Sequence, residues 1–268
     1  MKNQSDGNGQ PSVDWPALET KFKELLVLLN TPFGSLSGMN SSLRVAGPGV
    51  QEERQKHLES LELGLVAIID VALSESTMLL HEGDNKGAIS GGLKTLQFVQ
   101  ELYGPNSIQQ VEPYFLLSKA HQALRHYQQA EEFLGIANWT IMKNSECPNT
   151  VKAELHQNLG LLYVNKQEIE KAIEHLATSS YYLALIHGTD HLITTYGYFN
   201  LGNVFASQGK MDKAIDFLRK VVDIWSKQLL LAVNRETDYK EEDESKNEAP
   251  VGHPKRLDLE DLDEEKIF

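Results

Sequence analysis

Residues 195–214 read TYGYFNLGNVFASQGKMDKA, and the same pattern occurs twice more at intervals of 42 residues, in residues 111–130 and 153–172. In each copy a leucine is followed directly by a small residue. A side chain with a ring lies three positions after the small residue, and an alanine ends the copy. The shared positions are Leu117, Leu159 and Leu201; Ser118, Gly160 and Gly202; His121, Tyr163 and Phe205; and Ala130, Ala172 and Ala214. A more degenerate fourth copy with Ser76, Leu79 and Ala88 begins near residue 69. A period of this length indicates a repeat architecture.

The offsets inside one copy indicate two antiparallel helices. A small residue, then an alanine twelve positions later and a leucine four positions further on, is a close-packing pattern for a helix pair. We expect Gly160 and Gly202 where the helices cross, because a bulky side chain there would hold the two helices apart. Polar residues or glycine interrupt the apolar pattern between the helices. The sequence therefore predicts an all-α fold, a tetratricopeptide repeat (TPR)-like solenoid of four helical hairpins with weakly structured termini.

Composition limits the classes of function. The chain has 268 residues, 41% of them hydrophobic, so most of it can form a core. A net charge of -13 opposes binding to nucleic acid or to an anionic membrane and favours protein partners. A single cysteine fits a reducing compartment. The first 15 residues lack the apolar core of a signal peptide, and no run of 18 apolar residues occurs, so we expect neither secretion by that route nor a membrane span.

Composition also divides the chain into three regions. Residues 1–50 are predicted to be flexible apart from one helix near 15–30, and residues 51–232 to form the solenoid. Residues 233–268 form an acidic tail, with thirteen Asp and Glu against five Lys and Arg from residue 236 onward. Its first half, residues 237–250, is predicted to be a solvated linker.

The end of the tail is a candidate docking segment. Residues 257–268, LDLEDLDEEKIF, alternate apolar and acidic side chains. This segment either covers the last helix of the repeats, binds a partner, or is a disordered acidic tail without a specific contact. We expect the last helix to expose apolar residues unless something covers them, and these are Ile215, Leu218, Val222, Ile224 and Trp225.

A partner-binding groove is predicted on the first helices of the repeats, which usually line the inner surface of such a stack. The set contains one cation, Lys119, so a neutral, partly aromatic groove is expected, suited to an apolar helix or an extended peptide held by Asn side chains. Equally, Phe115 and Phe199 are candidates for the core. The predicted groove residues are Phe115, Lys119, Gln157, Asn158, Leu161, Phe199, Asn200 and Asn203.

Catalytic signatures are missing from the sequence. The phosphate-binding loop, the hydrolase nucleophile elbow, the zincin motif and the complete dinucleotide-binding motif do not occur. The sequence therefore predicts a protein that is not an enzyme, with no catalytic residue, no cofactor and no metal site.

Several runs of sequence are more specific than a generic repeat. From about His57 to Leu230, about two thirds of the chain, it resembles ciliary and flagellar MYND-type zinc-finger proteins that carry tetratricopeptide repeats. The resemblance depends on LYGPNSIQQVEPYFLLSKA, QQAEEFLGIANWTIMKNSEC, ELHQNLGLLYVNKQEIEKA and GYFNLGNVF. It implies a structural component of the motile-cilium or flagellar axoneme, cytoskeletal and cytoplasmic, associated with inner-arm dynein and a second TPR protein. The zinc finger of that family needs a Cys and His cluster that this chain lacks, so zinc binding is not carried over.

Two other interpretations stay open. A cytoplasmic cargo or chaperone adaptor of the kinesin-light-chain kind also uses 42-residue repeats, with links like His187-Gly-Thr-Asp; against it, residues 52–83 provide at most one helix for a heptad region. The other is a remnant of a lysine methyltransferase with similar carboxy-terminal helices. No catalytic motif of such an enzyme is present, which makes this interpretation the weakest.

Overall fold

The computed structural model describes residues 13–30 and 48–244, which form nine α-helices and no strand. The helices fall into two compact units that divide between Cys147 and Pro148. The first unit contains α1 (Trp15–Asn30), α2 (Pro48–Glu82), α3 (Asn85–Tyr103), α4 (Val111–Ala123) and α5 (Tyr127–Lys143). The second contains α6 (Asn149–Asn165), α7 (Ile169–His187), α8 (Thr195–Ser207) and α9 (Met211–Glu244).

Consecutive helices pair as hairpins, α2 with α3 and α4 with α5 in the first unit, and α6 with α7 and α8 with α9 in the second. The predicted all-α, TPR-like helical-hairpin fold with four repeats is confirmed. Within the first unit α3 packs on α4, and within the second α7 packs on α8, so each unit holds two hairpins side by side.

Helix α1, which falls where the sequence predicts a helix, docks on the first hairpin. Phe22 is fully buried and stacks on Phe98 of α3, with ring centroids 4.4 Å apart. The ring of Trp15 lies so close to Gly91 that a Cβ there would be 2.9 Å from its Cζ2 atom. The lack of a side chain at Gly91 thus makes room for an aromatic ring supplied by α1.

The predicted crossing points Gly160 and Gly202 are contacts between paired helices. A Cβ on Gly160 of α6 would lie 2.6 Å from the Cγ atom of Leu176 in α7. A Cβ on Gly202 of α8 would lie 3.0 Å from the Cγ atom of Leu218 in α9. Both leucines occur at the repeat position expected to pack against the small residue, so the sequence register is correct.

The turn inside each hairpin contains one residue with positive φ, again at intervals of 42. The φ angles are 87° at Gly83, 62° at Arg125, 64° at Gln167 and 72° at Gly209. At the last three turns the next residue donates its backbone N–H to a carbonyl in the last turn of the helix, those of His121, Tyr163 and Phe205. This is the Schellman motif, which ends a helix with a left-handed residue and satisfies its free carbonyl groups.

A cluster of three rings recurs in three of the hairpins. Two rings lie on the first helix, seven residues apart, and both approach a ring on the second helix. In the first unit the rings are those of Tyr114, His121 and Phe133, with centroids 6.2 and 5.4 Å from Phe133. In the second unit they are those of His156, Tyr163 and His175, at 5.2 and 5.5 Å from His175, and those of Tyr198, Phe205 and Phe217, at 6.4 and 5.7 Å from Phe217.

The prediction of a solvated linker over residues 237–250 is wrong for residues 237–244, because α9 continues to Glu244. Extending an existing helix adds one hydrogen bond for each residue fixed and needs no new nucleus. Three of the eight residues 237–244 are Glu, which favours helices. The rest of the linker, the candidate docking segment 257–268 and most of the predicted flexible region 1–50 lie outside the described residues.

By length and composition alone, residues Gln55–Glu82 of α2 are apolar enough to cross a membrane, a property that counting uninterrupted apolar residues does not reveal. Leu65, Ile68, Ile69 and Ala72 on this helix are buried in a core cluster with Phe22 of α1 and Phe98 of α3. The core of the first unit therefore accounts for part of the apolar composition of this helix, whereas Leu63 and Val71 are exposed.

Candidate partner-binding surfaces

A groove of about 690 Å³ lies in the first unit, along α2 and beside the start of α4. It extends over three turns of α2, because its lining residues on that helix recur every three or four positions. The lining residues are Asp70, Leu73, Ser74, Thr77, Met78, His81 and Glu82 of α2 and Glu112 of α4.

The groove of the first unit is acidic. Three carboxylates line it, those of Asp70, Glu82 and Glu112, and no Lys or Arg is among the lining residues that the structure describes. Leu73 and Met78 contribute apolar surface between the two carboxylates of α2. This chemistry differs from the neutral, partly aromatic groove expected from the sequence, because α2 contributes most of the lining and the predicted set contained no residue of α2.

Two of the predicted groove residues belong to the first unit, and one of them is in the core. The Phe115 side chain is only 2% exposed, so it is not available to a partner. Helix α4 packs against α2, α3 and α5, and its residues from Pro113 to Ser118 are all buried. Lys119, one turn later on the same helix, is exposed.

The other six lie in the second unit, on α6 and α8, and only part of this set is on the surface. Phe199 is 48% exposed, and Leu161 and Asn203 are exposed as well. Gln157 and Asn200 are half-buried. Asn158 is wrong as a surface residue, since it is 2% exposed, and its Nδ2 atom has no hydrogen-bond partner among the described residues. It lies 42 residues after Leu116, which is also buried, so it occupies a core position of the repeat.

Helix α8 presents an exposed aromatic face that the prediction found in part. Tyr196 is 62% exposed and lies one turn before Phe199, with Asn203 one turn after it. The spacing of three and four residues places the three side chains on one face of the helix. The signal that would have identified Tyr196 is its position in the repeat, three residues before Phe199. The same position in the earlier copy, three residues before Phe115, is held by the charged residue Glu112.

The apolar side of α9 is exposed in the second unit, as expected for three of the five residues named from the sequence. Ile215, Val222 and Trp225 are exposed, and Leu229 continues the same stripe. Ile224, by contrast, is buried, and Leu218 is half-buried against Gly202. The stripe and the buried side of α9 are thus neighbouring faces of one helix.

Two histidines replace Tyr and Phe in the ring cluster between α6 and α7. The Nδ1 atoms of His156 and His175 are 3.0 Å apart, so one ring donates a hydrogen bond to the other. Burial lowers the pKa of both imidazoles, and the positive charge of His175 lowers the pKa of His156 further. Burial and the neighbouring charge both favour the neutral rings. The hydrogen bond also favours them, because a second proton would remove its acceptor.

Comparison with known proteins agrees with this fold. A family model described as tetratricopeptide repeat matches residues 152–227, which contain most of α6 and all of α7 and α8. The solved structure of BtubC (BKLC) from P. vanneervenii is similar over 91% of this chain and 95% of that chain, with a TM-score of 0.53 and 16% identity. A Rap protein, solved in complex with competence and sporulation factor, is similar over 81% of this chain and 67% of that chain, with a TM-score of 0.52 and 15% identity. The chain thus contains TPR repeats, a fold that typically serves as a protein-interaction scaffold.

Proposed function

We propose that this chain is a non-enzymatic scaffold or adaptor of the motile-cilium or flagellar axoneme, associated with inner-arm dynein and another TPR protein. The observation that carries the proposal is the set of sequence runs, such as LYGPNSIQQVEPYFLLSKA and QQAEEFLGIANWTIMKNSEC, that resemble the ciliary family. The TPR fold supports the scaffold part of the proposal, because helical hairpins supply extended surfaces for protein partners. The place in the axoneme depends on the resemblance.

The exposed face of α8 is the surface we assign to a protein partner of the scaffold. Tyr196 and Phe199 lie one turn apart and are both about half exposed or more. Aromatic side chains are enriched at protein interfaces because they bury a large area with few rotatable bonds. Asn203 on the same face adds an amide that can donate to and accept from a peptide backbone.

The proposal is tested by expressing the tagged full chain in cells with motile cilia. We expect axonemal localisation and co-purification with an inner-arm dynein heavy chain after the axonemes are extracted with salt. A double variant, Tyr196→Ala with Phe199→Ala, should lose most of the co-purified protein. A matched control, Tyr103→Ala with Met142→Ala, removes two exposed apolar side chains of the first unit and should retain it. A uniformly cytoplasmic wild-type chain would refute the axonemal role.

The second candidate is a cytoplasmic cargo or chaperone adaptor of the kinesin-light-chain kind. It is favoured by the 42-residue period and by the link Gly188-Thr189-Asp190 between α7 and α8. The same tagged chain discriminates between the two candidates. Co-purification with a kinesin heavy chain or a chaperone, without axonemal signal, would favour the adaptor.

A further inference from the structure

We propose that the exposed apolar stripe of α9 packs against the same stripe of a second copy of this chain, with the two α9 helices antiparallel across a two-fold axis near Val222. Such self-association goes beyond the proposed axonemal role and does not depend on it. Three properties of α9 lead to it: the spacing of its exposed apolar residues, the order of the charges beside them and the sign of those charges.

The apolar stripe repeats every seven residues. Ile215, Val222 and Leu229 are 49%, 49% and 60% exposed, and each lies about two helical turns after the one before it. Apolar side chains at this interval form a seam along which two helices pack side by side. Val233 extends the seam by one more turn, to a length of about 27 Å from Ile215. The occupant that this spacing favours is therefore another helix.

The apolar residues are arranged symmetrically about Val222. Ile215 lies seven residues before it, and Leu229 lies seven residues after it. In an antiparallel pair with its two-fold axis at Val222, each Ile215 meets Leu229 of the second copy. A closed two-fold pair needs one patch that is complementary to itself, and the stripe meets this condition with apolar side chains.

Charged residues beside the stripe favour the same antiparallel order. Asp216, Arg219, Asp223 and Lys227 are exposed, and at about 100° per residue all four fall on the same side of Ile215. About the axis at Val222, Arg219 lies within about 3 Å along the helix of the level of Asp223 in the second copy, and Asp216 within about 1.5 Å of the level of Lys227. The two-fold axis repeats both pairs, so opposite charges meet four times.

The chain's own acidic segment, residues 257–268, matches this surface less well than a second copy does. It contains six Asp and Glu against one Lys. The charged side of the stripe carries Asp212 as well as Asp216 and Asp223, and a further cation of α9, Lys220, pairs with Asp190 in the link before α8. An acidic segment would therefore meet more negative than positive side chains there, whereas a second copy offers both signs in the matching order.

Self-association is measured by sedimentation equilibrium of the full chain. We expect a dimer that forms as the concentration rises from about 1 to 100 µM. Val222→Glu should weaken the dimer by about tenfold or more, because it places two like charges at the axis. The matched control is Leu93→Glu, the same kind of change at a residue of α3 that is 48% exposed. It should change the dimer dissociation constant by less than about twofold.

Reversing the charges tests the order of the ion pairs. Arg219→Asp and Asp223→Arg each place like charges opposite one another, and each should weaken the dimer by about tenfold. The double variant that carries both changes restores opposite charges and should return to within about threefold of wild type. Thermal unfolding followed by circular dichroism shows that the single variants fold, and restoration by the double variant separates a lost contact from a damaged helix.

The orientation is tested by cross-linking two cysteine variants. A mixture of Ile215→Cys and Leu229→Cys chains should form a mixed disulfide on oxidation, and neither chain should cross-link when it is alone. The native Cys147 is buried, so it should not compete. Cross-linking of each chain with itself would contradict the antiparallel order.

Three further results would overturn the inference. The first is a wild-type chain that stays monomeric over the whole concentration range. The second is an equal loss for Val222→Glu and Leu93→Glu, or a double charge variant that is as weak as the single ones. The third is a dimer that forms only in the full chain with Leu259→Ser and Leu262→Ser, since the acidic segment would then be the occupant of the stripe.

Discussion

Phe115 in the first unit and Phe199 in the second occupy the same position of the repeat, two periods apart, yet one is buried and the other is half exposed. The difference follows from the neighbours of each helix. Helix α4 packs against α2, α3 and α5, whereas α8 packs against α7 and α9. The 42-residue period therefore determines where a residue lies on its helix, and the neighbouring helices determine whether that place is core or surface.

The largest difference in stability is expected when each phenylalanine is replaced with alanine. Phe115→Ala should lower the free energy of unfolding by about 3 to 5 kcal/mol, because it leaves a cavity in the first unit. Phe199→Ala should cost less than about 1 kcal/mol, since its side chain already contacts solvent, and it serves as the matched control. Urea unfolding of the full chain, followed by circular dichroism, measures both. Equal losses for the two variants would show that burial at the two positions is the same.

The two crossing glycines should differ by less than the two phenylalanines do. Gly160→Leu should cost about 1 to 3 kcal/mol or more, and Gly202→Leu should cost less. The reason is the space around the partner leucine, because Leu176 is buried at 1% exposure while Leu218 is half-buried and can move. Thermal unfolding of both variants measures this order. Unchanged melting of both would contradict the helix-crossing assignment.

The sequence predicts the features of one hairpin and misses those that depend on packing between hairpins. The Gly160 contact with Leu176 and the turn at Gln167 follow from offsets inside one repeat. The burial of Phe115 does not, because it requires the neighbours of α4 to be known. The acidic groove was missed for the same reason, since Asp70 and Glu112 belong to different repeats and meet only after the hairpins pack.

The ring clusters also differ between the two units, because the second unit has His156 and His175 where the first has Tyr114 and Phe133. Burial lowers the pKa of both histidines in the folded chain, which therefore binds protons less well than the unfolded chain. Their contribution to stability is complete above the ordinary histidine pKa of about 6.5 and decreases as the pH falls below it towards the lowered values. We expect wild type to lose stability between pH 7.5 and 5.

The matched variant carries His156→Tyr with His175→Phe, the two residues found one repeat earlier. Glu174, which raises the pKa of both histidines, is unchanged in this variant, so the variant differs from wild type only at the two rings. Melting temperatures at pH 7.5 and pH 5 give the loss for each chain. The decrease in melting temperature should be smaller in the variant than in wild type, because the variant lacks the two histidines and the other histidines are common to both chains. The same loss in both would show that the pair does not sense pH.

The smallest effect is expected at the four turns, where glycine occupies the left-handed position in the first and last hairpins and Arg125 and Gln167 occupy it in the two middle ones. A left-handed backbone costs a residue with a Cβ about 1 to 2 kcal/mol, and glycine avoids that cost but loses about 0.5 to 1 kcal/mol more conformational entropy on folding. Gln167→Gly should therefore stabilise the chain by about 0.5 to 1 kcal/mol, and Gly209→Ala should destabilise it by a similar amount. Both positions are exposed, and a Cβ at residue 209 would have nothing within 4 Å, so packing contributes little to either change. Urea unfolding midpoints measure the two shifts, which should have opposite signs. If both variants destabilise the chain, the Gln167 side chain must stabilise its turn by more than its backbone conformation costs.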